Sequence, residues 1–180
     1  MIKNKMHNIN CLIIVLKYLK KIRGFKFLLK RKYYKKLKSA YIEYTPLSKI
    51  AEYLSKQNID CKLFHSSDNI LDNYNNIDKV LFDNILNEYK EYITLSEFNG
   101  VVVRNNENID INLIKKYLIG GYFIILPIEN NTILLMDYKD DKYTMYNSLS
   151  NKKEKLFENE LLKYINISFN RHCLMIRKER

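Results

Sequence analysis

Apolar residues in the first part of the chain fall at helical spacing. Leu12, Val15, Leu16, Leu19 and Ile22 make one face, and Ile13, Ile14 and Tyr18 fill the other side. A segment that is apolar nearly all round marks a helix central to a core. Gly24 is its expected end. Residues 26–38 show poor periodicity, so a helix and an exposed connection both remain open there. Thr45-Pro46 predicts a helix start, with Thr as N-cap and Pro at the first helical position. Leu47, Ile50, Ala51 and Leu54 then form its apolar face, Asn58-Ile59-Asp60 closes it, and residues 61–64 alternate like a short strand.

Residues 66–78 are rich in Asn, Asp and Ser and read as a loop. A helix is expected over 80–92, with Val80, Leu81, Ile85 and Tyr89 inward, and a short buried strand over 100–103. Asp110 should cap a helix running to 118, with Ile111, Ile114 and Leu118 on its face and Gly120-Gly121 as its stop. The C-terminal third then changes character. Strands over 122–128, 132–138 and 142–146, separated by turns at Asn130-Asn131 and at Lys139-Asp140-Asp141, predict an antiparallel meander. Residues 154–164 read as helix and 172–177 as a last strand. N-terminal helices packed on a mostly antiparallel C-terminal sheet make an α+β class. With no repeat and no Pro/Gly/Ser linker, a single domain over 1–180 is the simplest organisation.

Charge changes the picture at one place. The chain has 180 residues, 31 Lys and Arg against 20 Asp and Glu, and a net charge of +11. Thirteen of those cations lie in residues 1–38, where there is no acid; the first is Glu43. The remainder is slightly acidic. The basic segment 17–38 interleaves cations with Phe25, Phe27, Tyr33 and Tyr34, a composition suited to phosphate backbones and bases, to an anionic membrane surface, or simply to water. Without a helix-turn-helix, RRM or KH pattern, nucleic acid is disfavoured as a partner. Poor amphipathicity leaves only weak membrane-surface contact. The apolar run 12–16 is too short, and too soon interrupted by Lys17, for a signal peptide or transmembrane span.

Three cysteines, Cys11, Cys61 and Cys173, are odd in number and irregular in spacing. They argue against a disulfide scaffold and suit the cytoplasm. No CxxC, HExxH, phosphate-loop, dinucleotide or serine-hydrolase motif occurs, so no metal or cofactor is expected. Cys11 is the leading candidate for chemistry. It follows Asn8-Ile9-Asn10 and opens the apolar helix, where the helix dipole and the basic segment would favour a thiolate. A buried structural Cys is the competing reading. A nucleophilic Cys also needs a base, and the chain offers only His7, His65 and His172.

The order of pieces resembles a known family. An Asn10-Cys11 step opens an apolar helix, and a capped helix leads into a strand (Thr45-Pro46-Leu47 through Leu63-Phe64). Later, Leu113 to Leu118 runs through Gly120-Gly121 into Tyr122-Phe123-Ile124-Ile125, and the meander ends in Met145-Tyr146-Asn147-Ser148. This is similar to the papain-like cysteine peptidases that process bacteriocins and peptide pheromones at a double-glycine leader. The resemblance implies a papain-like fold, a peptide or leader-peptide substrate bound through Cys11, and a partner in an export or biosynthetic system. It places Cys11 at the nucleophile, Asn131 or Thr132 at the position of the catalytic His, and Asn147 at the orienting residue. The departures are specific. Leu12 replaces the family's Gly, Asn147-Ser148 replaces Asp-Pro, and Lys5 or Met6 stands where the oxyanion-hole Gln belongs. Neither Asn131 nor Thr132 can act as a general base. The resemblance therefore implies a pseudoenzyme, or a base rearranged to His7 or His172. A papain-like acyltransferase, a non-catalytic module binding through the basic segment, and an immunity-type partner protein are the alternatives.

Overall fold

The computed structural model describes residues 6–41, 45–65, 78–105, 107–128, 131–166 and 172–178. Among these residues, six helices and seven strands follow in the order α1 (His7–Tyr18), α2 (Lys26–Leu37), α3 (Leu47–Ser55), β1 (Cys61–His65), α4 (Lys79–Phe98), β2 (Val102–Arg104), α5 (Ile111–Ile119), β3 (Tyr122–Ile128), β4 (Asn131–Lys139), β5 (Lys142–Asn147), β6 (Lys152–Leu156), α6 (Glu158–Asn166) and β7 (His172–Arg177). The strands form one mixed sheet in the order β2-β1-β7-β3-β4-β5-β6, in which only β1 and β2 run parallel. The class is α+β, as expected from helices followed by a mostly antiparallel sheet.

Both faces of the sheet are covered, and strand alternation sorts the side chains between two cores. Phe123, Ile125, Leu134, Leu174 and Ile176 face α1, α2 and α3. Ile124, Leu126, Leu135, Met145, Cys173 and Met175 face α5 and α6. Every residue of β3 is buried for this reason, which accounts for its unbroken apolar run. The helix α1 lies across β3 and β4. Eight of its twelve residues are buried.

Several expectations need correction. The helix α1 starts at His7, before Cys11, and ends at Tyr18; Lys20, at φ 55°, turns the chain well before Gly24. Residues 26–37 are helical, which settles an open choice. Pro46 occupies the N-cap position of α3 and no side chain caps that end, so Thr45 is not the cap. The helix α4 runs on to Phe98, and its Val80 points to solvent, because the inward face is set by Ile85, Glu88, Tyr89 and Ser96. The strand expected over 100–103 is β2, a partly exposed edge. Residues 152–156, read in part as helix, form the edge strand β6, and α6 begins only at Glu158. The loop expected over 66–78 lies almost wholly outside the described residues, as does Asn130. Asp110 caps α5 as expected, accepting from the Leu113 N–H at 2.8 Å.

One buried ion pair ties the helical layer together. Lys49 of α3 donates to Glu88 of α4 at 2.6 Å and to the Lys38 carbonyl at 3.0 Å. Glu88 also accepts from the Ser39 hydroxyl and from the Ala40 N–H, so the α2–α3 connection is held against α4. Burial works to raise the Glu88 pKa, but the bonds from Lys49, Ser39 and Ala40 outweigh it and hold the carboxyl below its ordinary value of 4.5. A carboxylate depressed in the folded state stabilises above its unfolded pKa, and that contribution is lost as pH falls through the folded value. Lys49→Met should cost about 3 kcal/mol in urea denaturation, because it strands a buried charge. The wild-type midpoint should drop as pH falls below 4.5, and the variant should show a flatter dependence.

Candidate functional site

The polar side chains of α1 sit in its first turns, where the helix passes the start of β4 and the end of β5. Asn8 donates to the Thr45 carbonyl at 2.7 Å and accepts from the Thr132 hydroxyl at 2.6 Å. Asn10 donates to the Ser148 carbonyl at 3.3 Å. Cys11 sits in the second turn, and its Sγ reaches the Thr132 carbonyl oxygen at 3.8 Å. That same carbonyl accepts the Ser148 N–H at 3.2 Å, so it points from β4 toward β5. Cys11 and Thr132 therefore meet, but through backbone; the Thr132 hydroxyl is engaged by Asn8.

Asn147 belongs to a separate chain of hydrogen bonds whose direction is determined. The Asn147 Oδ1 accepts from the N–H groups of Leu149 at 3.0 Å and Ser150 at 3.2 Å, so it must be oxygen. The Asn131 group that faces it at 2.7 Å must then be the NH₂. This turns the Asn131 oxygen toward Ser148, whose hydroxyl donates to it at 2.7 Å. With that proton committed, Ser148 Oγ can only accept from His7 Nδ1, also at 2.7 Å. His7 therefore carries a proton on Nδ1. A continuous polar chain, His7–Ser148–Asn131–Asn147, runs from the first turn of α1 to the end of β5.

Cys11 itself is fully buried. Burial pushes its thiol pKa far above the ordinary value; the positive charge of Lys26 pulls the other way and loses. The expected thiolate is thus corrected. The basic segment does supply a cation near the sulfur, but desolvation is the larger effect, and in the second turn the dipole no longer helps. Tyr146, also near the sulfur, is pushed up to about 12, first by burial and then by Cys11. Lys26 closes this side of the site. Its Nζ donates to the Tyr146 hydroxyl at 2.8 Å and to Asn151 Oδ1 at 2.9 Å, fastening the start of α2 onto the β5–β6 turn.

The other histidines lie elsewhere in the sheet. His172 opens β7 and is buried, opposite His65 of β1. From β7 to β4 is two strand spacings, about 9.5 Å. All three cysteines are free and buried. Among the described residues, no group of three or more His, Cys, Asp or Glu could hold a metal ion. No helix there is long and apolar enough to cross a membrane.

Asn8, Asn10, Ser148 and Lys26 belong to the site and were not singled out from the sequence. The available signal was two amides on an otherwise apolar helix, since buried polar residues are the informative exceptions. Asn10 Oδ1 is buried with no hydrogen-bond partner among the described residues. Comparison with protein-family models, with curated proteins and with solved structures found no match.

A sealed, protonated thiol reacts only when the structure opens. In native buffer at pH 8, Cys11 should be labelled by iodoacetamide at least 100-fold more slowly than a free thiol, an order of magnitude set by the opening equilibrium. Peptide mapping by mass spectrometry reads this site by site. Lys26→Ala releases the start of α2 and should speed labelling of Cys11 roughly tenfold through local opening. Labelling of Cys61 and Cys173 should stay unchanged.

Proposed function

We propose that this chain is a papain-like domain that has lost peptidase chemistry and works by binding a peptide. The observation that carries the reading is the Asn131–Asn147 hydrogen bond, 2.7 Å long, at the strand ends beside the Cys-bearing helix. In the peptidases this chain resembles, these two positions hold the general base and the residue that orients it. An amide has no basic lone pair near neutral pH, so it can neither take the thiol proton nor protonate a leaving amine. The burial of Cys11 supports the same conclusion. An acyltransferase would need the same thiolate and the same base, so that alternative weakens with the peptidase.

What remains at the site suits recognition of peptide groups. His7 and Asn147 are partly exposed and form a rim of donors and acceptors over the buried Ser148 and Asn131. Asn10 Oδ1, buried and without a hydrogen-bond partner among the described residues, is closed to a ligand, so recognition rests on the rim. The partner class that follows from the resemblance is a leader-type peptide of an export or biosynthetic system. A cytoplasmic setting fits three free, buried thiols.

A fluorescent peptide ending in Gly-Gly tests the reading by anisotropy and mass spectrometry together. The peptide should bind and emerge uncut, with Cys11→Ala binding as well as wild type. Asn147→Ala, at the partly exposed rim, should weaken binding by about tenfold, the loss of roughly one hydrogen bond. Hydrolysis or a peptide adduct that disappears with Cys11→Ala would overturn the proposal in favour of an active enzyme. Absence of binding would overturn it in favour of a function without peptide recognition.

A further inference from the structure

We propose that the corner between α1 and α2, with the adjoining β5–β6 turn, docks on an anionic lipid surface. Phe25 and Phe27 are 81% and 73% exposed, and Leu28 beside them is 61% exposed. Single exposed apolar side chains are ordinary, but three within four residues form a patch. Lys26 extends that patch by holding the start of α2 against the β5–β6 turn, where Leu149 is also exposed. The apolar tip is therefore built from two segments far apart in sequence.

Cations surround this tip. Leu28, Arg31, Lys32 and Lys35 fall at i, i+3, i+4 and i+7 on α2, and all four are exposed, so the outward face of the helix is apolar at its start and basic beyond it. Lys152 and Lys153 of β6 follow directly after the turn and are exposed too. No acid occurs in residues 1–42 to interrupt the field. A short apolar wedge bordered by Lys and Arg matches the boundary between acyl chains and anionic headgroups. Phe98, the most exposed Phe among the described residues, offers a contrast: it ends α4 next to the acidic Glu97.

Nucleic acid satisfies the cations but not the tip. Base stacking uses aromatic faces spaced along a track of phosphate contacts. Here the apolar groups gather at one end, and two of them, Leu28 and Leu149, are aliphatic. The proposal stands apart from the peptide-binding reading, because the side chains that would meet the lipid, Phe25, Phe27, Leu28 and the exposed cations of α2, are not part of the polar site.

Vesicle co-sedimentation of the full chain tests it, with phosphatidylcholine alone or with about one-third phosphatidylserine. The protein should sediment with the anionic vesicles only, and binding should fall about tenfold or more between roughly 0.05 and 0.3 M salt. Phe25→Ala/Phe27→Ala/Leu28→Ala should lower partitioning at least tenfold with an unchanged circular dichroism spectrum, since the three side chains are exposed. Arg31→Glu/Lys32→Glu/Lys35→Glu should abolish it, and Phe98→Ala should leave it as in wild type. Three results would overturn the proposal: no anionic preference, wild-type partitioning by the apolar triple variant, or tight RNA binding with no vesicle binding. The last would make the face a nucleic-acid surface.

Discussion

A helix buried on nearly every side has no solvent in which to place a polar group. This constraint on α1 shapes the region around it. Two of its buried residues, Asn8 and Asn10, carry amides into the core, and each unpaired buried group costs about 1–3 kcal/mol. Their partners are the Thr45 carbonyl before α3, the Thr132 hydroxyl in β4 and the Ser148 carbonyl after β5. Three segments far apart in sequence are thereby fixed to one turn of helix. The same close approach covers Cys11 and brings its sulfur onto the Thr132 carbonyl.

The chemistry of the site follows from competition between charge and solvent. A cation beside a thiol favours the thiolate, and Lys26 is such a cation. Yet Lys26 is more useful to the fold as a donor to Tyr146 and Asn151, and in making those bonds it helps shut water out. Excluding water raises the thiol pKa by more than the ammonium lowers it. The basic segment expected to favour the thiolate therefore contributes, through Lys26, to its silence. The determined proton directions along His7, Ser148, Asn131 and Asn147 point the same way. The only imidazole in this chain of bonds donates from Nδ1 to a hydroxyl, and the paired amides hold the strand ends together.

Much of the sheet was legible because its physics is local. The strand β3 reads as a continuous apolar run, and Asp140 and Asp141, both at positive φ, make the two-residue turn their spacing suggests. Charge and burial hid other elements. Only Leu156 of the Lys-rich β6 is buried, so an edge strand with polar residues on both faces carries no period-two signal. The start of α1 was concealed by the amides that make it interesting, since Asn8 and Asn10 look like loop residues until their partners are known. Cys11 meets Thr132 only through the backbone carbonyl, and Asn147 is bonded to Asn131 on the neighbouring strand; the order of elements states neither contact. The bond from His7 to Ser148 spans 141 positions and left no trace in local pattern.

The strand β7 follows all the others along the chain yet lies between β1 and β3. The sheet is thus two pieces, β2-β1 and β3-β4-β5-β6, joined by a strand that follows both of them along the chain. Until that strand is in place, β1 and β3 each present an open edge, and both helical layers cover an incomplete sheet. The two cores close only when β7 pairs on both sides, so completing this topology is a long-range event. The folding chain depends in that interval on the meander, whose contacts are near in sequence and whose outer edge is already guarded by the lysines of β6.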